Sequence, residues 1–348
     1  MPAALLPGLT SVLAFVFAVA LVDQWRERRR TFQLVWAIGM VLYGLAAGFE
    51  AIGEAAGWND VLYRGWFVAG VATPAWLGLG TAFLLGRTRF GYTYGALIAF
   101  GAFLAFVVGR RYADAGSVPL IVLLLGLGFG LAVAIETYFQ NERWPRIVAI
   151  GVAAATLAEI LLAVALPLKA DPSLGASHTL TAIGALMPGP ARVLTLPLTV
   201  PGGLALFLGA VFSIYVFMPK RRVLAYSLDP GQKGDEFLFN LVIAPIAILV
   251  NLVASLPGAV RALVTGRIHS RVPATILIAI GGFVPTFTDS LDQWATLGRF
   301  VGVVFLFAGF LVSIEVFREI RVPFTSLRLA RPRHEHAMAG RDREATAE

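Results

Sequence analysis

The chain of 348 residues has no cysteine, which excludes disulfides, thiolate metal sites and iron–sulfur clusters and leaves its redox compartment unmarked. Only three lysines occur, Lys169, Lys220 and Lys233, and all lie between apolar runs, so none is placed to hold a retinal-type Schiff base within a membrane. The four histidines, His178, His269, His334 and His336, also lie outside the runs. Their placement removes a bis-histidine haem and the histidine-rich di-metal centres of membrane hydroxylases and desaturases. There is no GxxxxGK[ST] phosphate loop, and glycine clusters of the GxGxxG kind fall inside apolar runs rather than after strands. No cofactor or metal is expected, and enzymatic chemistry, limited to carboxylates, hydroxyls and arginines, is disfavoured.

Charge is scarce as well. Charged residues make up 14% of the chain and hydrophobic ones 58%, with 36 glycines scattered through the apolar stretches. A helix needs about 20 mainly apolar residues to cross the hydrocarbon core. Ten runs approach that length: 5–22, 32–52, 65–86, 90–109, 117–138, 147–168, 201–218, 237–257, 272–289 and 300–317. They predict an all-α fold, a polytopic transmembrane helical bundle. The first run has no basic segment before it and no small-residue cleavage site after it, so it reads as a retained span rather than a signal peptide. Arg26, Arg28, Arg29 and Arg30 follow it and place the N-terminus outside. The net charge of +7 comes from arginines that orient spans and meet lipid headgroups, not from a nucleic-acid surface. An excess of arginine over lysine, with abundant alanine, points to a GC-rich bacterial genome.

The positive-inside rule decides the span count. If all ten runs cross, Lys and Arg divide 13 inside against 15 outside; if 237–257 does not cross, the split is 22 against 6. The second arrangement obeys the rule. The excluded run also carries Asn240, Pro245 and Asn251, which suit a re-entrant or interfacial helix. The expectation is therefore about nine spanning helices plus that one, in a multi-pass protein of the cell membrane with its C-terminus cytoplasmic. The chain divides into a six-span bundle over 1–168, an extracytoplasmic connection over 169–200, a three-span region over 201–317 and a basic cytoplasmic tail over 318–348.

Residues 202–217 and 302–317 echo each other at a spacing of one hundred, from Gly202/Gly302 and Gly209/Gly309 to Phe217/Phe317. Both copies run into basic residues, so both helices should leave the membrane on the same side. The match is either a parallel repeat or chance likeness between two Gly- and Phe-rich helices. Trp25, Trp36 and Trp144 fall near the proposed inner boundary and Trp58, Trp66 and Trp294 near the outer one, as an aromatic belt would. GxxxG spacings at Gly44–Gly48, Gly126–Gly130 and Gly298–Gly302 offer close-contact faces, read first as packing within one chain.

Ionisable residues at membrane depth mark function, because holding them there is costly. Glu159 is the deepest, roughly 18 Å along the run 147–168 and flanked by Ala, Leu and Ile. Glu50 and Glu54 share a helix face near the outer end of the second span, with Arg64 opposite as the expected partner. The outer ends of the last two spans add Thr286, Thr288, Asp289, Asp292 and Arg299, and Pro285 frees a carbonyl beside them. Together these residues would line an outward-facing polar cavity. The plainer reading is that Glu50 or Glu54 ties to Arg64, and Asp289 or Asp292 to Arg299, as hairpin braces. Arg192 would cap the cavity or stay solvated in its loop, and His334 and His336 read as solvated tail residues.

Two function classes follow. One is a carrier or channel-like protein for a small solute or ion that uses membrane-embedded carboxylates. The other is a non-transporting membrane subunit, sensor or receptor acting through a protein partner. Expected partners are membrane lipids, the solute or ion, and a membrane protein or second copy of the chain, with no nucleic acid.

Overall fold

A computed structural model describes residues 2–139, 143–172, 185–217, 223–224, 271–288, 295–312, 320–321 and 328–330, with scattered residues between 243 and 258. Among these, nine α-helices account for nearly all regular structure: α1 (Pro2–Arg28), α2 (Thr31–Ala56), α3 (Asp60–Leu84), α4 (Phe90–Gly109), α5 (Val118–Tyr138), α6 (Trp144–Ala165), α7 (Gly189–Phe217), α8 (Arg271–Thr288) and α9 (Ala295–Val312). The first seven are long and apolar enough to cross a membrane. The last two are 18 residues each, about 27 Å, close to the hydrocarbon thickness. The chain is an all-α bundle with the make-up of an integral membrane protein.

Local chemistry sets the helix ends. Asn59 caps α3 by accepting from the Leu62 N–H at 2.9 Å, and α2 stops at Gly57, whose φ of 95° suits glycine. Proline stands in the first turns of α5 and α6, where its missing N–H costs nothing. One expected boundary moves: the helix placed at 201–218 begins at Gly189, so Pro197 and Pro201 lie inside α7 and the connection is shorter than 169–200. Helix-breaking residues persist there because neighbouring helices enclose them. Gly101 of α4, for instance, packs directly on Pro201. The tail contains a short antiparallel pair, β1 (Ile320–Arg321) with β2 (Arg328–Ala330).

Small residues draw the helices together. A Cβ on Gly78 would strike the backbone of Gly202, one on Gly95 the carbonyl of Gly130, and one on Gly281 the backbone of α9 at Gly302 and Leu306. Of the anticipated glycine pairs, Gly44 and Gly48 face Phe15 and Ser11 of α1, Gly126 and Gly130 face α4, and Gly302 faces α8. These contacts lie within one chain, as van der Waals packing in lipid requires.

Of the six tryptophans expected in a belt, Trp294 lies outside the described residues, Trp25 is half-buried and the other four are buried. Trp36 and Trp144 are almost wholly buried, and their indole N–H groups donate to the carbonyls of Leu77 at 2.9 Å and Gly86 at 3.0 Å. Trp58 and Trp66 pack edge-to-face on one another in the interior. These rings join helix to helix instead of facing headgroups, Trp36 and Trp144 through N–H bonds to carbonyls inside the bundle and Trp58 and Trp66 through ring-on-ring packing.

Helix direction bears on the span count. The starts of α1, α3, α7 and α9 and the ends of α2 and α8 surround one cavity, so they share one end of the bundle. Helix α7 thus finishes at the opposite end, where α8 begins. Much of 237–257 is outside the described residues, but Asn251 is buried and its side chain accepts from the Val223 and Leu224 N–H groups and donates to the Leu224 carbonyl. Helices α7 and α9 also run in the same direction, as their sequence echo requires.

Candidate functional site

The cavity is about 530 Å³ and lies among α1, α2, α3, α7, α8 and α9 at the end of the bundle where α1 begins. Its wall is largely apolar, with Phe67, Leu77, Leu206, Phe207, Phe283 and Leu306 prominent. Among the described residues one charged pair interrupts that wall. Arg299 Nη1 donates to Glu50 Oε2 at 2.7 Å and Nη2 to Glu50 Oε1 at 2.8 Å, a two-pronged bond between α2 and α9. The fork matches a carboxylate geometrically, which makes it the strong form of such a contact. Thr296 lies beside it, 3.4 Å from both Glu50 Oε1 and Arg299 Nη2. Tyr43 donates its hydroxyl to the Arg299 carbonyl at 2.8 Å and so ties the same turn of α9 to α2 a second time.

Helix geometry explains why these residues meet. Tyr43, Ala46, Ala47 and Glu50 recur at spacings of three and four and form the cavity face of α2. Thr296 and Arg299 are three apart in the first turns of α9. With Glu50 near the end of an ascending helix and Arg299 near the start of a descending one, the opposite charges fall at one depth.

The expected partnership of Arg64 with Glu50 or Glu54 is not what forms. Arg64 Nε donates to Asp60 Oδ2 at 3.0 Å, and Nη1 donates to the carbonyls of Ala163 and, at 2.8 Å, Leu166. A cation there complements the negative end of α6 and satisfies carbonyls that lack a helical partner. Glu54, four residues beyond Glu50, is exposed and accepts from the Trp58 indole at 3.2 Å. The two acids therefore do not act together. Arg64 is drawn away because the last turn of α6, rather than α2, stands opposite it.

Glu159 also lies apart from the cavity. It is 1% exposed, fifteen residues into α6 and so about 22 Å from its start. Neither carboxylate oxygen has a hydrogen-bond partner among the described residues. Thr156 and Ala163, on the same face of α6, meet Trp76 and Arg64 of α3, which places Glu159 against the apolar stretch between those two. The core there contains Val71, Ala75, Leu198 and Ala163. Val71 of that cluster also lines the cavity, and Glu159 does not.

The side chains of Thr286 and Thr288, and Asp289 and Asp292 entirely, lie outside the described residues, whereas Pro285 lines the cavity. Arg192 sits over the Tyr112 ring, 4.3 Å from its centroid, in a cap beside the cavity end. Within that cap Asp114 accepts from the Gly189 N–H at 2.7 Å and from Lys169 at 3.3 Å. The Gly189 hydrogen bond, aided by Lys169, holds the Asp114 carboxyl below its ordinary value. Sequence reasoning missed Tyr43, Thr296 and Asp114. No spacing signals a contact between residues 256 apart, such as Tyr43 with Arg299. No group of acidic or histidine residues able to hold a metal occurs among the described residues.

Comparison of the chain with family models, with curated proteins and with solved structures finds no match.

Proposed function

We propose that the protein is a membrane carrier that binds a small solute in the six-helix cavity, with the Glu50–Arg299 contact closing one side of it. The observation that carries this reading is the two-pronged pair itself. It joins α2 to α9 in the wall of a cavity of about 530 Å³, within the size range of ligand sites, and it is the charged contact that must open for the wall to part. Prolines and glycines around the cavity, including Pro74 in α3 and Pro285 in α8, give its helices places to bend. Glu159, buried on α6, supports the reading. A buried carboxyl without a partner changes what α6 can pack against when it gains or loses its proton, which is how a coupled carrier uses such a group. An aqueous ion channel fits less well, since the wall is largely apolar.

The test needs no known solute. The chain lacks cysteine, so Glu54→Cys on α2 and Leu297→Cys on α9, both exposed positions, can carry spin labels without background. In liposomes a carrier gives two interspin distances, and the paired replacement Glu50→Gln with Arg299→Met shifts their ratio. A single distance, unchanged by that replacement, would favour a non-transporting subunit or receptor.

A further inference from the structure

We infer that the cavity takes an uncharged, hydrocarbon-rich molecule sideways out of the bilayer, through the seam between α7 and α8 where Phe207 meets Phe283. The inference rests on the cavity being the solute site and adds the solute's class and its way in. Phe207 and Phe283 both line the cavity, and their ring centroids are 5.4 Å apart. Phe283 is 50% exposed, the one lining side chain among the described residues that is largely so. Facing the cavity does not account for this. Phe67, Leu77 and Leu206 line the same wall and are at most 4% exposed. The rest of the Phe283 ring is therefore turned outward, and one side chain belongs both to the cavity wall and to the outer surface of the bundle.

The depth of the ring pair decides what it faces. Phe207 is ten residues, about 15 Å, from the end of α7, and Phe283 is twelve residues, about 18 Å, from the start of α8, at the same end of the bundle. Both rings thus stand near the middle of a hydrocarbon core about 30 Å thick. Neither helix carries a charge beyond Arg192 in the first turn of α7 and Arg271 at the start of α8, so the surface around the seam meets lipid chains. Gly203, Gly281 and Gly282 line the cavity beside the rings, and Pro285 gives α8 a point of bending two residues on. The wall inside suits a molecule drawn from that solvent. Arg299 spends its fork on Glu50, and Thr10, Thr73 and Thr199 donate to the carbonyls of Leu6, Ala69 and Thr195 on their own helices. A charged solute would lose its hydration against this wall and meet an ion pair already closed on itself.

The probes are 1-bromododecane, 12-bromododecanoate and 12-bromododecylammonium in lipid nanodiscs, since bromine quenches tryptophan on contact and Trp66 lines the cavity. Binding is the saturable quenching that Trp66→Phe removes. The bromoalkane should bind at least about tenfold more tightly than either ion, because burying an ion without a partner costs that much or more. Gly70→Leu should abolish saturable quenching with the melting temperature retained, because a Cβ there meets only the Ala46 Cβ, at 4.0 Å. Rates report the route. The chain has no cysteine of its own, so in Phe207→Cys with Phe283→Cys a propylene-linked bis-methanethiosulfonate ties α7 to α8 alone. The bridge, verified by intact mass, should halt quenching of Trp66 by the bromoalkane until dithiothreitol cuts it. Phe283→Ala should instead speed quenching about two- to tenfold, the worth of one aromatic contact. Equal rates in the bridged and reduced proteins, a Phe283→Ala rate no faster than the wild type, tighter binding of either ion, or bromoalkane quenching that never saturates or survives Gly70→Leu overturns the inference. Any of these alongside two interspin distances leaves the carrier standing without side entry; bridge-sensitive binding of the bromoalkane with one interspin distance does the reverse.

Discussion

Glu50 and Glu159 are both carboxylates inside the bundle, 7% and 1% exposed, yet one is gripped by a guanidinium and the other touches no polar partner among the described residues. Both lie toward the same end of the bundle, so depth alone does not separate them. The difference is which helix stands opposite. Glu50 faces α9, which brings Arg299 to its level, whereas Glu159 faces the apolar middle of α3, whose Arg64 is committed to the end of α6. A buried pair is a fixed latch that resists opening, and a buried lone carboxyl is a group whose charge state can be used. The bundle holds the two devices on different helices, the latch between α2 and α9 and the lone carboxyl on α6.

The latch gives the largest expected effect. Arg299→Ala leaves Glu50 without its partner and should cost about 3–5 kcal/mol, read as a drop in the midpoint of thermal unfolding in one detergent. The paired change Glu50→Gln with Arg299→Met should recover most of that loss, since the uncompensated charge goes with its partner. Additive losses would mean that the two residues are not coupled. Glu159 should behave oppositely. Glu159→Leu removes an unsatisfied polar group and should raise stability by about 1–3 kcal/mol, while Glu159→Gln should stay near the wild type. If Glu159→Leu is instead strongly destabilising, the carboxyl has a partner and the contrast with Glu50 collapses.

Arg64 sharpens the comparison at a smaller scale. Arg64→Ala should cost about 1 kcal/mol and speed amide exchange in the last turn of α6. It should add simply to Glu50→Gln, because Arg64 and Glu50 belong to different contacts. Asp114 gives the smallest effect. Its folded value is held below the ordinary 3.8, so its contribution is present above that value and lost as the pH falls through the folded one. Amide exchange at Gly189 should therefore accelerate on acidification below about pH 4, and Asp114→Asn should flatten the response.

Apolar runs made the bundle legible in the sequence, because a spanning helix must be apolar along most of its length whatever it packs against. Glu50, Arg299 and Glu159 were visible as charges in apolar surroundings. Their partners were not. Pairing Arg64 with Glu50 or Glu54 rested on hairpin proximity, whereas Arg64 meets Asp60 on its own helix and the carbonyls that end α6, and Glu50 meets Arg299 across the bundle, where helix order leaves no spacing to read. Tryptophan placement misled for a related reason: a boundary position and an inward-facing indole have the same sequence address. The start of α7 was hidden by Pro190 and Pro197, which mark a break in water but persist within an enclosed helix.

The central claim is that the cavity beside the Glu50–Arg299 pair is a solute site. Intact-complex mass spectrometry of the protein purified from its native membrane in gentle detergent tests it most directly. The wild type should carry one additional small, uncharged, hydrocarbon-rich mass, and Gly70→Leu, with an unchanged melting temperature, should carry none. A wild type free of any such mass, or the same mass retained by Gly70→Leu, would contradict the account.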